Sequence, residues 1–383
     1  MKILIVRTYP SVMNIKNYNS QEIGLAKAFV RAGHTCDIVY YAGNAPSHTE
    51  TISTPDGEPI KIYWLRSFSL FNNGFFFGLR KIMRGYDIIQ VSEYDQITSW
   101  AIYNFSKKSV YIYHGPYDSD ISKKHNFKCK VVDALLLNKR NTARVPVFTK
   151  SKLATDSIKK RGFKSVTTVG VGLDIDRFES KTDDESEFCR RLAEKKEKQQ
   201  LKYLLYIGVL EDRRNIKFLL STFARTLEVE PTTRLVIVGK GKESYVNDCF
   251  ALARQLGIED NIEYTESLSQ EQLPQLYSMC DLFLLPTKFE IFGMVLLEAM
   301  AFGCPVITSL NGGSSTLIVS DMYGIIISDF DERKWTDAIC SCLSDDKKLH
   351  SIAENSRARI KECFTWDTVA ATILDEMTGK GEN

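Results

Sequence analysis

Short apolar runs closed by turn residues recur along this chain, with helically spaced segments between them. Lys2–Arg7, Thr35–Tyr41, Ile60–Leu65, Asp87–Val91 and Ser109–Tyr113 are such runs, followed by Val145–Phe148 and 165–169. Continuous Val, Ile, Leu and Tyr over that length predict strands buried on both faces. A helix is expected over Ser20–Ala32, capped by Asn19 and stopped by Gly33, and another over 151–161. Residues 181–200 are almost entirely charged and polar, which predicts a surface helix supported by Glu187–Arg191 and Glu194–Lys198 pairs. The alternation then restarts. Strands are expected at Tyr203–Ile207, Arg234–Val238, Ile262–Tyr264, Asp281–Leu285 and Val306–Thr308, and helices at about 331–343, 346–362 and 366–378. Strand–helix alternation on this scale predicts an α/β protein with parallel sheets, and 383 residues exceed what one core usually holds. The expected division is 1–180, a charged linker or helix at 181–200, 201–365, and a C-terminal helix at 366–383 that returns towards the first domain.

The stretch Lys288–Ser315, KFEIFGMVLLEAMAFGCPVITSLNGGSS, carries the most chemistry. A buried strand and a Pro286-Thr287 turn precede it, and a helix is expected from about Phe292, ended by Gly303 and Pro305. The loop therefore falls where a parallel sheet opens its ligand crevice. The first helical turn, around Phe292–Val295, offers unpaired N–H groups and a positive dipole end, which suits a diphosphate. Glu290 and Glu298 flank that turn. Carboxylates repel phosphate but accept hydrogen bonds from hydroxyls, so the set suits a sugar–diphosphate–ribose ligand.

The run from Glu290 to Thr308 resembles the E-x7-E signature of the retaining GT-B glycosyltransferases of family 4, also called group 1. The resemblance implies two doubly wound Rossmann-like domains facing across a cleft. It implies transfer of a sugar from a nucleotide-diphospho-sugar, with UDP the favoured nucleotide, and no further cofactor. Carried over, Glu290 contacts the transferred sugar, the backbone of Phe292, Gly293, Met294 and Val295 holds the phosphates, and Glu298 contacts the ribose. His114, ending a strand of the first half, matches a family His beside the sugar. GVLEDRRN at 208–215 matches the diphosphate clamp through Gly208 and Arg214, but Val209 stands where the family has Arg. Lys240, in a Gly-Lys-Gly turn, is expected to assist. The loop carrying Tyr264, Thr265 and Glu266 lies where relatives touch the base. VGLDIDRF at 171–178 resembles the family's interdomain linker, and Phe364-Thr365-Trp366 a family marker. NGGSST at 311–316 lacks the family's Glu and has Thr316 instead. The first loop has no paired glycines, so Asn17 and Asn19 are assigned to an acceptor sugar rather than to phosphate.

Charge refines this picture. Residues 1–180 hold 26 Lys and Arg against 15 Asp and Glu, a balance of +11, and residues 181–383 hold 24 against 33, or −9. Lys123–Arg144, with Arg80, Lys81 and Arg84 beside Phe75-Phe76-Phe77, suggests docking of the first half on an anionic membrane surface. No run is long enough to span a bilayer and no secretory signal opens the chain, so a cytoplasmic protein, peripheral on the membrane's inner face, is expected. Nine scattered cysteines have no metal-ligand spacing, which fits reduced thiols. Asp118–Asp120, Asp174–Asp176 and Asp329–Asp331 each fit D-x-D, but three hits in one chain show how cheap that pattern is, and metal binding is not expected. The expected acceptor is a glycan or lipid-linked glycan, in bacterial surface polysaccharide or glycolipid assembly, with no role for nucleic acid. The rival reading is a non-catalytic GT-B partner that binds a glycan or stabilises an active glycosyltransferase. A sugar-nucleotide epimerase would need a different acid/base set.

Overall fold

The apolar runs assemble into two sheets, one in each of two compact units. The computed structural model describes residues 1–15, 20–55, 57–174 and 186–379. One unit comprises Met1–Asp174 with Phe364–Asn383, the other Ile175–Cys363.

The first unit contains β1 (Lys2–Val6), β2 (Thr35–Tyr41), β3 (His48–Ile52), β4 (Ile60–Leu65), β5 (Ser67–Leu70), β6 (Asn73–Phe76), β7 (Ile88–Ser92), β8 (Ser109–His114), β9 (Val147–Thr149) and β10 (Val166–Thr168). Its sheet runs β10-β9-β8-β7-β1-β2-β4-β3, and β3 is antiparallel to β4. Strands β5 and β6 form a separate hairpin. Chain order reverses at β1, which pairs with β2 on one side and β7 on the other. The C-terminal ends of β1, β7 and β8 therefore border the switch-point crevice of this sheet. Strand β1 is buried along Ile3–Val6, which is why it reads as an unbroken apolar run. The helix that follows is Gln21–Arg31 and its N-cap is Ser20, not the Asn19 expected from sequence. The Ser20 hydroxyl is used on Tyr40 (2.8 Å) instead of on the helix backbone.

The last helix, Trp366–Thr378, packs in this same unit. The Thr365 hydroxyl accepts from Thr368 N–H (3.2 Å) and starts it. Trp366 fills space that two glycines leave open. A Cβ on Gly24 would lie 2.2 Å from the indole nitrogen, and one on Gly172 2.5 Å from the Trp366 amide nitrogen. The glycine of the linker-like motif and the aromatic of the C-terminal marker thus form one packing contact.

The second unit contains β11 (Lys202–Ile207), β12 (Thr233–Val238), β13 (Ile262–Thr265), β14 (Leu282–Leu285), β15 (Val306–Ser309) and β16 (Ile325–Ile327), all parallel, in the order β13-β12-β11-β14-β15-β16. This order reverses between β11 and β14, so the loops after those strands share one crevice edge. The charged segment is the helix Glu187–Gln199, which buries Cys189 and Leu192. Its Glu194–Lys198 pair forms at 3.7 Å, but Arg191 and Lys195 turn to Glu263 and Lys196 to Asp281. This helix is a surface element of the second unit, exposed along most of its length. All nine cysteines are free thiols.

Candidate functional site

The loop after β14 is held in place by backbone contacts that only glycine allows. A Cβ on Gly312 would lie 1.9 Å from the Ile291 carbonyl oxygen, and one on Gly313 1.6 Å from that of Phe292. Gly312 N–H also donates to the Glu290 carbonyl (3.0 Å). The buried Asn311 side chain fixes this turn. It donates to Thr308 Oγ1 (3.1 Å) and the Ser309 carbonyl (2.9 Å), and accepts from Ser314 N–H (3.1 Å). The NGG segment is therefore the rear wall of the loop 290–292. The missing Glu of that motif leaves Thr316, whose hydroxyl donates to the Gly312 carbonyl (3.1 Å).

The helix begins at Met294, two residues later than the sequence suggests, because Gly293 takes a left-handed N-cap conformation (φ 77°). Phe292 and Gly293 are buried and Met294 and Val295 half-buried, and the N–H groups of Gly293, Met294 and Val295 are those at the start of the helix. Glu290 lies against Gly293, where a Cβ would meet its Cγ at 3.0 Å. One Glu290 oxygen accepts from Ile291 N–H (3.0 Å), and the other pairs with Arg214 Nη1 and lies 3.7 Å from Arg213 Nη1. Arg214 Nε is buried without a protein acceptor among the described residues. A buried guanidinium N–H of that kind calls for an anionic oxygen. No motif in the sequence singles out Arg213. It donates to the Phe289 carbonyl (2.7 Å) and to Glu211 (2.7 Å), so it ties the loop after β11 to the loop after β14. Glu298 is 2% exposed, and its Oε2 accepts from the Tyr277 hydroxyl (3.0 Å).

Gly208 and Gly239 directly follow β11 and β12, and Thr265 ends the adjacent β13. Gly208 N–H donates to the Val238 carbonyl (3.0 Å) and Gly239 N–H to that of Thr265 (3.0 Å). A Cβ on Gly239 would sit 1.9 Å from the Gly208 carbonyl oxygen. Tyr264 donates to the Gly239 carbonyl (3.1 Å), and Thr265 Oγ1 lies 3.5 Å from the Ser267 carbonyl. Lys240 is exposed and faces Glu266 at 3.8 Å, so its ion pair is with the β13 loop, whereas Arg214 pairs with Glu290. Val209 is also exposed and brings no charge.

In the first unit, His114 ends β8 and is 1% exposed. Glu93, directly after β7, places Oε2 2.6 Å from His114 Nδ1, off the line of the ring N–H, and accepts from Gly115 N–H (3.1 Å). The Tyr94 ring meets the imidazole edge-on at 5.3 Å. Burial alone would raise the Glu93 carboxyl, but His114, Lys150 and the Gly115 N–H outweigh it and hold the group at about 2. Glu93 adopts φ 57°, a conformation rare for residues other than glycine and often kept at functional sites. The sequence signal for Glu93 is an acid immediately after a strand, one strand before the His. Asn17 and Asn19 lie outside the described residues.

Four of the D-x-D aspartates are engaged elsewhere, while Asp120 is exposed and Asp176 lies outside the described residues. Asp118 pairs with Arg161 (2.7 Å), Asp174 with Lys27 (3.8 Å) and Asp329 with Lys334 (2.5 Å), and Asp331 caps the helix Glu332–Leu343. Asp95, His125 and Cys129 bring one ligand atom each within 4.8 Å of one another. Asp95, however, already has Lys128 Nζ at 2.9 Å, and burial raises the Cys129 thiol to about 11. An ammonium thus supplies the positive charge at that cluster.

Residues 190–359 match the family model "Glycosyl transferases group 1", and residues 23–177 match "Glycosyltransferase Family 4". An uncharacterized glycosyltransferase of Methanocaldococcus jannaschii is 25% identical over 371 residues, covering 92% of this chain and 91% of that protein. D-inositol 3-phosphate glycosyltransferase of Xylanimonas cellulosilytica is 33% identical over 144 residues. That match covers 37% of this chain and 34% of the relative, so it spans about a third of that protein's length. Among solved structures, HepE of Anabaena in complex with UDP and glucose superposes with a TM-score of 0.68 at 17% identity, over 99% of this chain and 100% of that one. Two family models that together span most of the chain, and two doubly wound units of matching fold, identify it as a member of the group 1, or family 4, glycosyltransferases of GT-B fold.

Proposed function

We propose that this protein is a retaining glycosyltransferase that takes a sugar from a nucleotide-diphospho-sugar and passes it to a glycan or lipid-linked glycan. The observation that carries this reading is the Arg214–Glu290 pair beside the start of the helix Met294–Ala301, with Arg214 Nε lacking a protein acceptor among the described residues. A diphosphate oxygen can take Arg214 while Gly293, Met294 and Val295 offer the helix's N-terminal N–H groups. Glu290, released from Arg214, then accepts from hydroxyls of the transferred sugar, and Glu298 from the ribose. The leaving diphosphate gains charge as the sugar becomes oxocarbenium-like. Arg214 and the helix end are already placed to stabilise that charge, and Arg213 adds to the local positive field. These groups make a divalent metal unnecessary at this step. Attack by the acceptor hydroxyl on the face the diphosphate leaves would retain the anomeric configuration, with the departing phosphate taking the proton. In the first unit the Glu93 carboxylate beside His114 Nδ1 favours a proton on that nitrogen, which leaves Nε2 to accept from a hydroxyl. UDP is the favoured nucleotide, supported by the UDP bound in HepE. Surface polysaccharide or glycolipid assembly, on the cytoplasmic side of a membrane, is the setting that a lipid-linked acceptor would supply.

Exposed Val209 and the buried Thr316 favour the rival reading of a non-catalytic partner, since each stands where relatives carry a charged group. One experiment separates the two. A panel of nucleotide sugars is screened by thermal shift, and the donor that stabilises the protein is incubated with it in EDTA. A bound donor at a hundredfold excess over Kd adds about 2.7 kcal/mol of apparent stability. Release of free nucleotide with the sugar transferred to an added glycan acceptor, an α-linked donor giving an α-linked product by NMR, supports the retaining enzyme. Stabilisation without turnover supports the partner. An inverted product, or turnover that appears only with Mn²⁺, contradicts the proposed mechanism.

A further inference from the structure

Two apolar surfaces on the first unit are exposed where packing does not explain them. The β5–β6 hairpin turns through Phe71 and Asn72, both left-handed (φ 46° and 60°). That is the type I′ geometry, which Asn-Gly usually supplies and a bulky residue resists. The Phe71 side chain is nevertheless 85% exposed, so its ring gains nothing from the protein's interior. Phe68, Leu70 and Phe77 are exposed around it. The second surface is the helix Lys123–Leu135. Its inner face buries Cys129 and Val132. Its outer face carries Phe127 (70% exposed), Val131 and Leu135 (76%), at four-residue spacing along one line. A helix that buries one face ordinarily turns polar residues outward, whereas this outward stripe is apolar and is flanked by exposed Lys123, Lys124 and Lys130.

The two surfaces are tied to each other. The Gln96 amide, oriented so that its NH₂ donates to the Asn72 carbonyl (3.2 Å), accepts from Lys128 Nζ (2.9 Å). The hairpin is also anchored to the next helix. Ile97 N–H donates to Asn73 Oδ1 (2.9 Å), and Thr98 Oγ1 donates to the Gly74 carbonyl (2.5 Å). The charge around them is one-sided. Arg80, Lys81, Arg84, Lys139 and Arg140 are exposed, and of the nearby acids Asp95 is neutralised by Lys128 and Asp118 and Asp133 by Arg161. Asp87 and Asp120 are the exposed exceptions.

We propose that the hairpin tip and the stripe of the helix Lys123–Leu135 together form a docking surface for an anionic phospholipid bilayer. Phe71, Phe127 and Leu135 enter the boundary between headgroups and acyl chains, and the flanking Lys and Arg residues meet the headgroups. The strained turn holds an aromatic ring outward, where water alone would not favour it. Apolar contact and charge are both required, because neither is large enough alone. This surface goes beyond the transfer reaction and does not rest on it.

Vesicle co-sedimentation tests it. The full chain is mixed with phosphatidylcholine vesicles, alone or with phosphatidylglycerol, at low and high salt. Binding is expected with the anionic vesicles and should weaken with salt. Each lysine near the surface contributes about a fivefold factor in partitioning, so replacing Lys123, Lys124 and Lys130 by Ser should lower binding about a hundredfold. Lys128 is left in place because it is committed to Asp95. Phe71→Ser with Leu135→Ser should abolish binding at unchanged Tm, both side chains being exposed. Equal recovery on neutral and anionic vesicles, recovery on neither, or binding unaffected by these substitutions overturns the proposal. So does a dimer in light scattering that the Phe71→Ser, Leu135→Ser variant dissolves in the absence of vesicle binding, since the surface then serves a second copy of the chain.

Discussion

Gly313→Ala should impair this protein through a distance alone. Gly313 has right-handed helical dihedrals (φ −66°, ψ −53°), so alanine meets no backbone objection there. Its Cβ, however, would stand 1.6 Å from the Phe292 carbonyl oxygen, against the 3.0 Å below which real contacts essentially do not fall. The loop 290–292 or the 311–313 turn must yield by about 1.4 Å or more. Asn311 pins the turn with three hydrogen bonds, so the loop carrying Glu290 should move. Displacement of a positioned group by about 1 Å can cost roughly 10² in rate, and the overpacking should cost about 1–3 kcal/mol of stability. The assay is kcat/KM for the donor found by the panel screen, beside Tm and nucleotide affinity. Gly85→Ala serves as control, since its nearest neighbour would be an ordinary 3.6 Å contact. A Gly313→Ala protein with wild-type kcat/KM and Tm would refute the claim that this close approach positions the site.

Arg214→Ala should lower kcat by ~10²–10³, the usual loss for one preorganised charge stabiliser, and Arg213→Ala by less, because Arg213 mainly holds the loop. Steady-state kinetics checks both, and near-wild-type turnover in Arg214→Ala would move the diphosphate to another cation. Glu93→Gln should alter stability in a pH-dependent way. The Glu93 carboxyl is depressed to about 2 from 4.5, so its contribution is full above pH 4.5 and is lost as pH falls towards 2, worth about 3 kcal/mol at most. Urea unfolding should therefore show a shallower acid decline in Glu93→Gln than in wild type. Parallel acid declines would remove the pair from the account.

Much of the fold is legible in the sequence because parallel strands buried on both faces leave continuous apolar runs. Strands β2 and β4 fall on the residues where those runs begin and end. The features that escape have physical reasons. Strand β3 reads HTETI and is exposed along most of its length, so no apolar pattern marks it. The β5–β6 hairpin turns on Phe-Asn instead of Asn-Gly, and β16 is a half-buried run of three isoleucines. Glu290, Glu298 and Arg214 stand out through motif spacing, and the structure brings Glu290 and Arg214 into direct contact. Arg213 and Glu93 do not stand out, because each acts through a partner far along the chain, Phe289 and His114, which only the folded sheets bring close. The paired glycines are visible as a motif, but the carbonyls they receive are not.

The central claim is that the crevice edge after β11 and β14 binds a nucleotide diphosphate, with Glu298 on the ribose and Glu290 on the sugar. Calorimetric titration with UDP tests it most directly, in wild type, Glu298→Gln and Glu290→Ala. Gln at 298 keeps an acceptor for Tyr277 but removes the carboxylate, and loss of a hydrogen bond to a charged group costs about 1.5–3 kcal/mol. UDP affinity should be at least tenfold weaker in Glu298→Gln and within about threefold of wild type in Glu290→Ala, which should nonetheless have lost transfer. Equal UDP affinity in wild type and Glu298→Gln would contradict it.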